Sequence, residues 1–205
     1  MLRQLRPALV MIVGFTLLTG VAYPLAVTGV AQATFPRQAS GGLVERDGKI
    51  VGADLIGQAF TTPRYFASRP SATTATDPND ATKSVPAPYN ASNSGGSNAA
   101  PTAKTLVDRV KGDADAYRTA NGGGPVPADA VTTSASGLDP HISPANAQGQ
   151  IARVAKARNL PEDRVRALVE QQTEPRTLGL LGEPRVNVLR LNLALDALQA
   201  QIAVR

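Results

Sequence analysis

The chain begins with a long apolar run and then changes character. Residues 8–31 contain eleven Leu, Ile, Val or Phe, and no Asp, Glu, Lys or Arg stands between Pro7 and Pro36. As a helix this run would be about 36 Å long, enough to cross a hydrocarbon core of ~30 Å. Each large aliphatic or Phe side chain favours insertion by roughly 0.3–0.6 kcal/mol near the bilayer centre. The total is a few kcal/mol, less what Gly14, Thr16, Gly20 and Pro24 subtract. Thr16 and Gly20 also make one small-xxx-small step of the kind that lets helices approach closely in lipid, a spacing common by chance.

Beyond the run, the pattern shortens and alternates. Leu43-Val44-Glu45-Arg46-Asp47-Gly48-Lys49-Ile50-Val51 predicts a β-hairpin, because Asp-Gly suits a two-residue turn in which both positions take φ > 0. Leu55-Ile56-Gly57-Gln58-Ala59-Phe60 and Tyr65-Phe66 follow. Residues 68–105 are rich in Ser, Thr, Asn, Ala, Gly and Pro, and on composition alone they read as a flexible linker. Residues 104–120 have helical spacing, with Leu106, Val110, Ala114 and Tyr117 on one face, and Asn121-Gly122-Gly123-Gly124-Pro125 ends the helix. Ser143-Pro144 reads as a cap with Pro at the first helical position, ahead of a stripe of Ala147, Ile151, Val154 and Ala155. Val165, Leu168 and Val169 mark the inner face of a further helix starting near Pro161. Gly179 and Gly182 break the chain, Arg185-Val186-Asn187-Val188 suits a short strand, and Leu191, Leu195, Leu198 and Ile202 fit a final helix. The fold class is α+β: one N-terminal transmembrane helix at 8–31, after a cytoplasmic stretch at 1–7, and a single extracytoplasmic α+β domain at 37–205.

Charge refines this reading. The net charge is +5, yet the basic residues of the C-terminal third (Arg153, Lys156, Arg158, Arg164, Arg166, Arg176, Arg185, Arg190) are mixed with Glu162, Asp163, Glu170 and Glu174 and lack interleaved aromatics. They read as a solvated helical surface, not a nucleic-acid site. Arg3 and Arg6 directly precede the apolar run and hold the N-terminus in the cytoplasm by the positive-inside tendency, which puts the C-terminal portion outside. A cleaved secretory signal is the competing reading, since Ala31-Gln32-Ala33 is a presentable cleavage site, although the run is long for one. Cysteine is absent, which removes disulfides and thiolate metal sites.

Catalytic motifs are missing. There is no phosphate loop, nucleophile elbow or His-Glu-x-x-His metal motif, and His141 is the only histidine. Asp139, His141 and Ser143 lie together in Gly137-Leu138-Asp139-Pro140-His141-Ile142-Ser143-Pro144. Their side chains are expected to point away from each other across a rigid turn, so the segment is expected to be structural or interfacial, with no metal site and no catalytic residue. Ser94-Gly95-Gly96-Ser97-Asn98 could cup an anion with consecutive N–H groups or serve as a flexible turn. Asp129, Asp139 and nearby carbonyls could attract a cation, with nothing to fix their geometry.

Several strings taken together resemble the C subunit of the Kdp-type potassium-transporting ATPase. They are Leu55-Ile56-Gly57-Gln58; Tyr65-Phe66 with Arg69-Pro70-Ser71-Ala72; Tyr89-Asn90 with Ser94-Gly95-Gly96-Ser97-Asn98; the run 134–144 around Asp139; Gly182-Glu183-Pro184-Arg185-Val186-Asn187-Val188-Leu189; and Leu191-Asn192-Leu193-Ala194-Leu195-Asp196. They follow the family's order across essentially the whole chain.

The resemblance implies a subunit of a bacterial plasma-membrane complex that imports potassium using ATP. Its companions would be a potassium-translocating subunit, a P-type ATPase subunit and a small single-helix subunit. It also implies a retained N-terminal helix and an ordered Ser/Asn-rich stretch. The Asp-Lys-Thr-Gly-Thr phosphorylation motif is absent here, so hydrolysis would reside in a partner, with ATP and potassium handled by the complex and no cofactor held tightly by this chain. The family is described as a catalytic chaperone that raises the ATP affinity of the ATPase subunit, and its Ser-Gly-Gly string (Ser94, Gly95, Gly96, Ser97) has been likened to the signature motif of ABC transporters. With Arg3 and Arg6 in the cytosol that string lies outside, away from ATP. The expectation is therefore a lid, clamp or potassium-binding module over the entrance of the potassium subunit, with Gly137, Leu138, Asp139, Pro140, His141, Ser143, Glu183, Pro184, Arg185 and Asn187 as structural or partner-contact positions.

Overall fold

In a computed structural model, residues 2–203 are described, and the chain divides into two compact units, residues 1–53 and 54–205. The first unit is led by a helical rod: α1 (Leu2–Leu17), a π turn (Leu18–Ala22) and α2 (Tyr23–Thr34). The π turn has a local cause. Pro24 has no N–H to offer and its ring crowds the carbonyl four residues back, and widening the preceding turn relieves both problems. Accordingly, the N–H of Tyr23 bonds to the carbonyl of Leu18, five residues earlier. Within Arg3–Thr34 an 18-residue stretch has a mean hydropathy of 2.0 with none of it buried, so among the described residues one helix is long and apolar enough to cross a membrane.

After α3 (Pro36–Ala39), strands β1 (Leu43–Arg46) and β2 (Lys49–Ala53) form the expected hairpin. Asp47 and Gly48 both adopt positive φ, 53° and 74°, and the pairing runs from Arg46↔Lys49 to Leu43↔Ala53 with a bulge at Val44/Glu45.

The second unit is α+β. Its core is made by α5 (Pro144–Arg158), α6 (Glu162–Gln171) and α7 (Val188–Ala203), with an antiparallel sheet ordered β5 (His141–Ile142), β7 (Arg185–Asn187), β6 (Thr173–Glu174). The expected stripes are buried: Ala147, Ile151, Val154 and Ala155 on α5, Val165 and Val169 on α6, Leu191 and Leu195 on α7, joined by Ile142, Val186 and Phe66. Ile202, expected to face inward, is exposed at the end of α7. Helix α4 (Lys104–Asn121) ends at Gly122, φ 85°, where a left-handed residue closes the last turn. Its Leu106, Val110, Ala114 and Tyr117 are half-buried.

Two readings made from composition are corrected. Residues 68–105 are not a plain linker, as the resemblance implied. They contain the hairpin β3 (Thr74–Asp77) and β4 (Asp80–Pro86). Neither strand has a buried face, so no period-2 hydrophobic signal was there to read. Order comes instead from side chains bonded to backbone: Thr73 Oγ1 donates to the Ala87 carbonyl at 2.6 Å, and Asn90 and Asn93 Nδ2 donate to the Thr74 carbonyl at 2.8 and 2.9 Å. The second correction is Arg158. It is not solvated surface: its side chain is 1% exposed, 2.8 Å from Asp196, with Nε donating to the Arg64 carbonyl and the guanidinium 4.6 Å from the Tyr65 ring centre.

Candidate functional site

Four of the strings that stood out along the chain meet residues 134–143 in space, while Leu191–Asp196 bonds to Tyr65 and Phe66 instead. Pro140, between Asp139 and His141, keeps the backbone extended, and short polar side chains there can bond their own main chain two residues on. Asp139 does so. Its Oδ1 accepts the His141 N–H at 3.0 Å and lies 3.3 Å from His141 Nδ1. This corrects the expectation that the two side chains diverge: along extended backbone it is successive side chains that alternate, so residues two apart share a face.

Asp139 Oδ2 receives Arg69 Nη1 at 2.9 Å, while Arg69 Nε and Nη2 donate to the carbonyls of Thr132 and Thr133 at 3.2 and 3.3 Å. Partial burial raises the Asp139 pKa. The hydrogen bonds from the His141 side chain and N–H, then those from Arg69 and its charge, outweigh that effect and hold the pKa at about 2. The carboxylate is an ionised anchor, not a proton carrier near neutrality.

Ser143 has a different partner. Its N–H and Oγ donate to Asp129 at 2.7 and 2.8 Å, Asn146 Nδ2 adds a third bond to Asp129 at 3.0 Å, and Ser143 Oγ accepts the Asn146 N–H at 3.1 Å. This is an N-cap on α5, backed by a carboxylate. His141 orients toward Asp139 and Ser143 toward Asp129, so the three do not assemble a nucleophile, a base and an orienting acid.

Around this turn, four other segments are strapped down. The Gly57 N–H donates to the Leu138 carbonyl at 2.8 Å, and a Cβ at Gly57 would lie 2.3 Å from the Tyr89 ring and 2.8 Å from the Asp139 carbonyl. Ser71 Oγ donates to the Gly137 carbonyl at 2.7 Å and accepts the Tyr89 N–H at 3.1 Å. The Tyr89 hydroxyl donates to the Arg69 carbonyl at 2.7 Å, and burial is the main cause of its pKa rising to about 12. Gly137 needs its left-handed φ of 68°, and a Cβ there would meet Thr73 Cγ2 at 2.5 Å. In the Ser-Gly-Gly string, Ser94 Oγ and the Gly95 N–H both donate to the Ser136 carbonyl, at 3.0 and 2.9 Å. A Cβ at Gly96 would sit 3.0 Å from the Ala135 carbonyl oxygen, and Ser97 is exposed. The turn is thus held to the 134–143 segment, with one of its N–H groups and the Ser94 hydroxyl engaged by the Ser136 carbonyl.

The second long string lies next to the first. His141 pairs with Asn187 and Ile142 with Val186, and the Val188 N–H donates to the Pro140 carbonyl at 3.0 Å. Asn187 Nδ2 donates to the Asp54 carbonyl at 2.7 Å and its Oδ1 accepts the Arg190 N–H at 3.1 Å. Glu183 pairs with Arg176 at 2.6 Å and Arg185 with Glu174 at 3.0 Å, while Pro184 is exposed. Arg3 and Arg6 are exposed on α1, outside this node.

Asp129, Asn146, Gln150 and Asn192 were not singled out from sequence for their roles here, because a polar residue on a helix carries no sign of its partner. For Arg69 and Asn192 there was one signal, their places in the Arg69-Pro70-Ser71-Ala72 and Leu191-Asn192-Leu193-Ala194-Leu195-Asp196 strings. Beside the node, Phe60, Ala67, Tyr117, Asn146, Gln150 and Arg153 line a cavity of about 320 Å³. Among the described residues no group of three His, Cys, Asp or Glu is placed to hold a metal ion.

The family described as "K+-transporting ATPase, c chain" (KdpC) matches residues 5–197. The chain is 65% identical over 198 residues to the "Potassium-transporting ATPase KdpC subunit" of Methylobacterium nodulans, covering 97% of this chain and 98% of that one. It is 65% identical over 195 residues to the subunit of the same name from Methylorubrum extorquens (95% and 97% covered), and 60% identical over 201 residues to that of Bradyrhizobium diazoefficiens (98% and 100%). The family match and these relatives cover in sequence both the apolar helix and the α+β domain that carries the distinguishing strings, and the chain belongs to the KdpC family.

Proposed function

We propose that this chain is the accessory C subunit of an ATP-driven potassium import complex in the bacterial plasma membrane, anchored by its N-terminal helix, and that it assembles and steadies the complex without catalysing a reaction itself. The observation that carries this reading is the helix of Arg3–Thr34, which contains an 18-residue stretch of mean hydropathy 2.0 with none of it buried: such a surface is satisfied by lipid or by other membrane helices. Arg3 and Arg6 hold its start in the cytosol, and the second unit lies outside. There it acts as a lid or clamp over the mouth of a potassium-translocating subunit. Hydrolysis belongs to a P-type ATPase subunit, and a small single-helix subunit completes the set.

Any effect on ATP affinity is then indirect, passed through the helix and its neighbours. Two features support that. Ser94, Gly95, Gly96 and Ser97 would face the compartment without ATP, and the Gly95 N–H and Ser94 hydroxyl are engaged with Ser136.

Topology is the decisive test. The chain has no cysteine, so Ser92→Cys, at an exposed position, introduces a single thiol. Labelling of intact cells by a membrane-impermeant maleimide is the expected result. Labelling only after lysis would place the domain in the cytosol and return the Ser-Gly-Gly string to direct contact with nucleotide.

A further inference from the structure

Between β6 and β7 the chain makes a small hairpin. Thr177 and Leu181 exchange two backbone hydrogen bonds, each 2.9 Å, around the turn residues Leu178 (φ 55°) and Gly179 (φ 74°). Leu178, Leu180 and Leu181 stand on it 86%, 80% and 62% exposed. A leucine at positive φ is an unfavourable backbone state, and burial within the fold compensates for none of it here.

The tip is nevertheless suited to leaving water. The N–H groups of Thr177 and Leu181 are paired, the Gly179 N–H donates to the Arg176 carbonyl at 3.0 Å, and the Leu180 N–H donates to the Thr177 carbonyl at 3.2 Å. These four donors keep their partners in an apolar medium, while the Leu178 N–H and the carbonyls of Leu178, Gly179 and Leu180, outside these bonds, limit the tip to the hydrated interfacial layer. At its base Arg176 and Arg185, half-exposed, are paired with Glu183 and Glu174, forming a polar collar whose charged heads can stay hydrated.

We propose that Leu178, Leu180 and Leu181 insert into the interfacial layer of the bilayer that holds the chain's own apolar helix, giving residues 54–205 a second, shallow attachment. The proposal rests on the membrane reading of that helix. A lipid surface is the favoured occupant because the chain's own apolar helix tethers the tip to one. Only 18 residues separate Phe35 from Asp54, at most about 65 Å if fully extended and less with α3 and the β1–β2 hairpin formed, which raises the effective concentration of lipid over that of a free partner. Because the collar charges are paired, insertion is driven by the leucines and not by anionic headgroups. It therefore persists on zwitterionic lipid and in high salt.

The chain contains no tryptophan, so Leu180→Trp creates a single fluorophore at a position already exposed. The full chain carrying it is reconstituted in phosphatidylcholine vesicles with and without brominated acyl chains, beside a Phe15→Trp chain that reports on the helix. Both reporters are expected to emit to the blue of free tryptophan, with brominated lipid reducing Leu180→Trp emission at least twofold, unchanged by 0.5 M salt. Water-like, unquenched Leu180→Trp with quenched Phe15→Trp overturns the tip proposal alone. Emission of Leu180→Trp that shifts only when companion subunits are added, without bromine quenching, also overturns it and assigns the tip to a protein recess. An unquenched Phe15→Trp overturns the membrane reading itself.

Discussion

Asn192 brackets the main chain of Phe66: its Oδ1 accepts the Phe66 N–H at 2.9 Å, and its Nδ2 donates to the Phe66 carbonyl at 3.0 Å. Phe66 is 0% exposed and Asn192 2% exposed, so a loop that enters the core has its backbone satisfied by a helix side chain in place of a neighbouring strand. Gln150 does the same for Ala67 from α5, accepting its N–H at 2.7 Å and donating to its carbonyl at 3.2 Å. Asn192→Leu is expected to leave both Phe66 groups buried without partners, at about 1–3 kcal/mol for each group. Asn192→Asp keeps the acceptor and loses the donor, so its melting temperature should fall between those of wild type and Asn192→Leu. Thermal unfolding of the three purified chains checks the order.

The Asp139 anchor predicts a pH signature. Its folded pKa is lowered from 3.8 to about 2. The stability it contributes is therefore complete above pH 3.8 and is lost as pH falls toward 2. Asp139→Asn should be less stable than wild type at pH 6, and the gap should close between about pH 4 and 2. Melting curves of both chains over pH 2–6 measure it; a gap that stays constant across that window would show that the carboxylate charge is not what the site uses.

The close approach at Gly57 predicts intolerance of a single methyl group. Gly57→Ala places its Cβ 2.3 Å from the Tyr89 ring and 2.8 Å from the Asp139 carbonyl, and the backbone oxygen cannot swing aside. Overpacking of this kind costs about 1–3 kcal/mol. Tyr89→Leu, which removes the ring's hydroxyl end along with its bond to Arg69, should only partly rescue Gly57→Ala. Denaturant midpoints for the two single variants and the double variant test this.

Within the Ser-Gly-Gly string the two glycines should behave differently. A Cβ at Gly95 meets nothing within 4 Å, whereas one at Gly96 lies 3.0 Å from the Ala135 carbonyl oxygen. Gly95→Ala should leave stability within about 0.5 kcal/mol of wild type, with Gly96→Ala the more damaging. In the assembled complex, Gly95→Ala should not alter the apparent ATP affinity. A several-fold loss of that affinity with stability unchanged would mean that the string touches nucleotide.

The N-cap of α5 is more than a cap. Ser143→Ala removes the acceptor for the Asn146 N–H and one of three donors to Asp129. A loss of about 1–2 kcal/mol is expected, larger than for an exposed cap because Asp129 is also left short of a partner. Ser143→Thr restores the hydroxyl and most of the stability. Calorimetry on both variants checks the pair.

Much of the fold was legible where a short window of residues carries its own physics. The apolar helix needs no tertiary partner to announce itself, because length and the absence of charge are properties of consecutive residues. Asp47-Gly48 and Ser143-Pro144 were equally plain, since backbone geometry at a turn or cap selects residue types directly. The stripes on α5, α6 and α7 followed from helical period, failing only at Ile202, where the pattern continues past the end of the core. The hairpin at 74–86 escaped notice because neither strand buries a face and so leaves no alternation.

By itself, then, the sequence determined the membrane-length helix, the α+β character of the rest and most of the helix stripes that line the core, because burial imposes a period on neighbouring positions. Tertiary structure alone decided that Arg69 meets Asp139, that Asn192 serves Phe66 and that Arg158 turns inward to Asp196. Those pairings join segments tens to more than a hundred residues apart. A hydrogen bond between side chains has no periodicity, so neither partner shows in its own neighbourhood what it will meet.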